Sequence, residues 1–166
     1  MKPYIEQLID YNYWANGLIL KYSEKLSDEE FTREIENGPD SVRNILAHIM
    51  LAEWLWLDRM QGESRILDDF KKFFRFDRYP TIKECYDDWF DIELRMRDFL
   101  AGMSEKQLTE SFQYAQSDGG ERDNRYVDIF TQLTLHGMQH RAELALILTN
   151  MGHSPGNLDY IVYLRA

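Results

Sequence analysis

A chain of 166 residues, 44% of them hydrophobic and 14% aromatic, is long and apolar enough to bury one full-sized core, which predicts a single domain over residues 1–166. Its formal net charge of -10 repels phosphate backbones and argues against nucleic acid as a partner. The lone cysteine, Cys85, rules out an intramolecular disulfide and suits a reducing, cytoplasmic compartment. The opening MKPYIEQLIDYNYW lacks the unbroken apolar stretch of a secretory signal, and no segment approaches the roughly 18 apolar residues of a membrane span.

The first amphipathic segment runs from about Tyr4 to Tyr22, with Ile5, Leu8, Ile9, Asn12, Ala15, Ile19 and Tyr22 at three- and four-residue spacing. Ser27 followed by Glu30 is the pattern of a capping box for a short extra turn, and Gly38-Pro39 then breaks the chain. A second helix is predicted after Asp40 or Ser41, through Ile45, His48, Ala52, Leu55 and Arg59, to a stop near Gly62. Between Glu63 and Tyr79 the periodicity weakens into a connection. Pro80-Thr81 opens a third helix that carries Cys85, Trp89, Ile92, Met96 and Phe99 on one side and ends near Gly102.

From Thr109 to Tyr126 the helical period fails around Ser117-Asp118-Gly119-Gly120, a turn signal between two polar, partly aromatic arms, which predicts a loop or a short irregular hairpin. The fourth helix spans about Val127 to Met151, stopped by Gly152, and a last short turn covers Leu158 to Leu164. Four long helices with one long second-to-third connection suggest an all-α four-helix bundle with a crossover.

Two of the chain's four histidines, His136 and His140, stand four residues apart in LHGMQHRAEL. Residues at that spacing share a helix face, about 5–6 Å apart at Cβ, so two imidazoles can point at one ion. They belong to the stripe Ile129, Leu133, His136, His140, Glu143 or Leu144, Ile147 and Met151. His48 has the same placement in Ile45, His48, Ala52 and Leu55. Burying three imidazoles without partners would cost about 1–3 kcal/mol each, and a metal bound between two facing helices satisfies them. The carboxylate-bridged di-iron pattern fails, because no Glu precedes any His by three residues, and His-Glu-x-x-His is absent. His153, past the helix stop, is read as a cap or a solvent-facing residue.

The pieces YNYWANGLIL at 11–20, SVRNILAHIMLAEWLW at 41–56 and LHGMQHRAELALILTNMGHSP at 135–155, followed by LDYIVYL, occur in this order along nearly the whole chain. Together they resemble the DinB-like superfamily of damage-inducible and YfiT-like four-helix bundles. The resemblance implies His48, His136 and His140 as a metal triad, an up-down-down-up bundle and a homodimer. Glu143 stands where relatives often carry an amide, so a carboxylate is expected near the metal or paired with Arg141.

Three neutral ligands and an open fourth position describe a catalytic type of site, since structural zinc is normally closed by four protein ligands. The expectation is one divalent transition metal, zinc or nickel first and iron or cobalt next, serving a metal-dependent transferase or hydrolase that acts on a small molecule. Thiol S-transfer is preferred because some DinB-like proteins resemble low-molecular-weight-thiol transferases. The alternative is a non-catalytic metal-binding dimer, a scaffold or sensor. Glu143, Arg141 and Asn44, with Glu53, are the polar groups expected around the ligands. Trp14, Trp54, Trp56 and Trp89 are expected in the core or the dimer interface, and Cys85 in the core.

Overall fold

In the computed structural model, which describes residues 1–36, 38, 40–63, 75–116 and 119–166, four long helices carry the core. In chain order the elements are α1 (Lys2–Ser23), α2 (Asp28–Thr32), α3 (Val42–Met60), a 3-10 turn (Phe76–Arg78), α4 (Ile82–Gly102), α5 (Glu105–Thr109), β1 (Ser111–Ala115), β2 (Glu121–Arg125), α6 (Tyr126–Asn150) and α7 (Tyr160–Tyr163). Most of the connection expected between Glu63 and Tyr79 lies outside the described residues.

Local chemistry sets the helix ends. The Ser41 side chain accepts the Asn44 N–H at 3.1 Å, so Ser41 and not Asp40 caps α3. Ser27 with Glu30, Thr81 with Glu84 and Ser104 with Gln107 form reciprocal capping boxes on α2, α4 and α5. At the end of α6 the Gly152 N–H reaches the Thr149 carbonyl at 3.0 Å and the His153 N–H reaches Leu148 at 2.8 Å. That pair of bonds needs a residue in the left-handed region, which Gly152 supplies with φ 83°.

Helix directions follow from contacts at one end of the bundle. The N-terminal ammonium meets Glu105, just past α4, at 2.5 Å; Tyr126 Oη, opening α6, donates to the carbonyl of Met60, closing α3, at 3.3 Å. Arg95 of α4 pairs with Asp58 of α3, both late in their helices. That end therefore gathers the starts of α1 and α6 and the finishes of α3 and α4, which is an up-down-down-up bundle with a crossover from α3 back to α4. Each of α1 and α3 packs against both α4 and α6. Ile9 and Ile19 of α1, Leu46 and Met50 of α3, Met96 of α4 and Phe130 of α6 meet in the core.

The irregular stretch after α5 is an antiparallel hairpin, in register from Ser111↔Arg125 to Ala115↔Glu121. Its first strand alternates: Phe112 and Tyr114 are buried, Phe112 against Tyr126 and Tyr114 edge-on to Trp56, while β2 is polar. Ser117 and Asp118, in the expected turn, lie outside the described residues.

Candidate metal site

α3 and α6 run antiparallel, and each presents imidazoles to the other. His48 Nε2 and His136 Nε2 face each other at 3.1 Å, and one ring nitrogen from each of His48, His136 and His140 lies within 4.8 Å of the others. Ring centroids are 4.6 to 5.0 Å apart. A tetrahedral metal with nitrogens at about 2.0–2.1 Å holds them roughly 3.3 Å apart, so small side-chain rotations would bring this set onto one ion.

The three rings are half-buried, not core-facing as the periodicity suggests. The centre of α6's buried face is taken by Leu133, Gly137, Arg141, Leu144 and Leu148. His136 and His140 each precede a member of that ridge by one position, about 100° around the helix, which turns them to the edge that meets α3. The arrangement leaves the three rings partly exposed, and His48 and His140 line a cavity.

Electrostatics prepare the rings to accept a cation. Burial, followed by the neighbouring His140, pushes His48 below the ordinary imidazole range. Burial, then His140 and His48, pushes His136 down to about 4. Both are therefore neutral at pH 7, with lone pairs free for ligation. His140 Nδ1 donates to Glu143 Oε2 at 2.8 Å, which fixes the tautomer and leaves the Nε2 lone pair as the one a metal could take. Glu143 thus partners His140 rather than Arg141.

Arg141 and Glu53, expected near the site as peripheral polar groups, instead form a buried core network, each 1% exposed. Arg141 Nη1 donates to Asn12 Oδ1 at 2.6 Å and Asn16 Oδ1 at 2.7 Å. Asn12 and Asn16 in turn donate to Glu53 Oε1, and Trp89 Nε1 donates to Glu53 Oε2 at 2.7 Å. Gly137 makes room for this: a Cβ there would stand 2.5 Å from Arg141 Nη1 and 2.8 Å from Asn12 Oδ1. The network locks α6 against α1 beside His136 and His140. Trp89 is buried, and Trp14, Trp54 and Trp56 are half-buried.

A cavity of about 200 Å³ opens beside the rings, lined by Asp40, Asn44, Ile45, His48, Phe76, His140 and Glu143. Asn44 is brought to the site as expected. Asp40 and Phe76 are additions. Asp40, Asn44 and His48 recur every four residues, a signal present along the chain, whereas Phe76 arrives from a connection whose path no periodicity could foretell. Cys85 is buried away from the cavity, and burial pushes its thiol up to about 12.

Comparison with known proteins agrees with this architecture. The chain is 24% identical over 166 residues to Protein DinB of Bacillus subtilis (strain 168), covering 99% of this chain and 95% of that protein. A solved structure of YfiT from Bacillus subtilis, described as a probable metal-dependent hydrolase with an unusual four-helix bundle topology, superposes with a TM-score of 0.71 at 12% identity. The match covers 93% of this chain and 91% of that one. The family described as DinB family matches residues 1–166, from one end of the sequence to the other, and the chain belongs to it.

Proposed function

We propose that this protein is a metal-dependent enzyme acting on a small molecule, with one divalent transition metal held by His48, His136 and His140. The observation that carries the reading is the convergence of three ring nitrogens within 4.8 Å of one another, two of the rings, His48 and His140, lining a cavity of about 200 Å³. A cation held by three neutral imidazoles supplies Lewis acidity strong enough to ionise water or a thiol near neutral pH. Zinc or nickel suits the donor set first, and iron or cobalt next.

The chain's own residues divide the remaining tasks. Glu143 holds the His140 ring in its ligating tautomer, and Ile45 and Phe76 form the apolar part of the cavity wall. No serine or cysteine lines the cavity among the described residues, so the nucleophile comes from solvent or a cosubstrate. Glu143 is committed to His140, and Asp40 is held at Oδ1 by the Ser41 N–H and the Asn44 amide, so no wholly unengaged carboxylate lines the cavity as a dedicated base among the described residues. A thiol, with an ordinary pKa near 8.5, needs such a base less than water does, so thiol S-transfer is the preferred reaction and hydrolysis the second. A non-catalytic scaffold or sensor would have no use for a substrate-sized cavity beside its metal.

Metal analysis of untagged protein, combined with thiol-transfer and hydrolysis assays over a panel of electrophiles, tests the reading. One equivalent of metal is expected, and none in the triple variant His48→Ala, His136→Ala and His140→Ala with helical content retained. Undiminished metal in that variant would refute the site. Homodimerisation belongs to the same proposal, supported by the family resemblance and by exposed Leu135, Met138 and Leu146 on α6. Light scattering should give twice the 19.9 kDa chain mass.

A further inference from the structure

The cavity has two unlike ends. Its described lining holds the rings of His48 and His140 with Glu143 at one end, and Asp40, the Asn44 amide and the apolar Ile45 and Phe76 beyond them, with no lysine or arginine. At about 30 Å³ per water-sized group, its volume of about 200 Å³ takes six or seven such groups.

Asp40 is a fixed acceptor. Its Oδ1 receives the Ser41 N–H at 2.7 Å and the Asn44 Nδ2 at 2.8 Å, while the Asn44 oxygen receives Arg43 Nε at 2.9 Å. Those bonds hold the carboxylate in place, and Oδ2 accepts no hydrogen bond among the described residues. Arg43, turned to Asn44, does not line the cavity. Asn44 and His48 lie on successive turns of α3, about 6 Å of rise apart, and Asp40, just before the helix, is tied to the Asn44 amide, so its carboxylate stands about one turn or more from the imidazoles. At the end away from the imidazoles, an anion meets the Asp40 carboxylate on a chain of net charge -10, whereas a cation is drawn in.

We propose that the molecule entering this cavity is a small protonated amine, its ammonium bound by Asp40, its short chain against Ile45 and Phe76, and its reacting end at the histidines. An aminothiol is the simplest compound with that layout. The proposal rests on the metal reading above for the identity of the reacting end, and on Asp40 alone for the amine.

Cobalt(II)-loaded protein reports binding through its visible bands. A matched series of 3-aminopropanethiol, 3-mercaptopropanol and 3-mercaptopropionate varies only the charge. The amine should bind about tenfold more tightly than the alcohol, the worth of one charge-assisted hydrogen bond, and the carboxylate most weakly. Asp40→Asn keeps the Oδ1 acceptor and should bring the amine to within about twofold of the alcohol without altering the cobalt spectrum, while Asp40→Glu should retain the preference. A carboxylate bound as tightly as the amine, or an amine preference that survives in Asp40→Asn, overturns the proposal. A second arm uses metal-free protein, with butylammonium against butyrate and the ring-proton resonances of His48 and His140 as the readout. Butylammonium alone should shift them, and only with Asp40 present; equal shifts from both ions overturn the proposal. Protein that takes up no cobalt would refute the metal reading, and the metal-free arm would still decide the amine.

Discussion

Glu143 illustrates how a residue beside a proposed ligand can matter as much as the ligand. By accepting the His140 Nδ1–H it orients the ring, and partners of this type typically contribute 10–100-fold to metal affinity. Glu143→Ala should therefore weaken metal binding by about that factor in a competition titration against a chelator, with Glu143→Gln intermediate. Cys85 makes a separate prediction. Its acid form is held by burial up to about 12, above its value in an unfolded chain, so the native state keeps a proton that the unfolded state loses. That contribution to stability is complete below the unfolded pKa of about 8.5 and is lost as pH rises towards 12. The melting temperature should fall between about pH 8.5 and 10, and less steeply in Cys85→Ala. The grouping of three histidines was legible because His136 and His140 stand four residues apart and His48 falls on the apolar stripe of another helix. The burial of Arg141 and Glu53 was not, since a charged residue enters a core only when partners on other helices satisfy it, and those partners are set by tertiary packing.

At the level of elements, the four long helices were visible as periodic apolar stripes, and their ends were marked by Ser41, Thr81 and Gly152. Two short elements were harder. α5 is five residues long, too short to show a period, although Ser104 followed by Gln107 carries the same capping pattern that identified α2. The hairpin pairs an alternating strand with a wholly polar one, so only β1 signals a buried face. Thr81 combines an N-cap with a hydroxyl contact to Glu84, and α4 has no acidic residue besides Glu84 in its first turn. Thr81→Ala should cost about 1 kcal/mol in urea-unfolding stability, whereas Thr81→Ser, which keeps the capping hydroxyl, should lose little of it.

Across the whole molecule, the network of Asn12, Asn16, Glu53, Trp89 and Arg141 draws on all four long helices. Burial raises the Glu53 carboxyl above its usual range, opposed by the bonds from Trp89, Asn12 and Asn16 and by the Arg141 charge. Removing Glu53 would strand the Trp89 and asparagine donors and leave a buried guanidinium without its counter-charge. Glu53→Ala should therefore destabilise the protein by about 3–5 kcal/mol, measured by chemical denaturation. Because the network grips α6 next to His136 and His140, the same variant should also lower metal affinity.

The up-down-down-up order has a temporal consequence. α1 finds its parallel neighbour only in α6, as Asn12 does in Arg141, 129 positions later, and His48 meets His136 across 88. Such distant pairings slow folding relative to bundles built from adjacent hairpins. On the ribosome, which adds about 5–20 residues per second, the first helix waits for the last with its polar network unmade. On the proposed reading, metal capture would be a finishing event, since a nascent or truncated chain lacking α6 has only His48 of the three histidines.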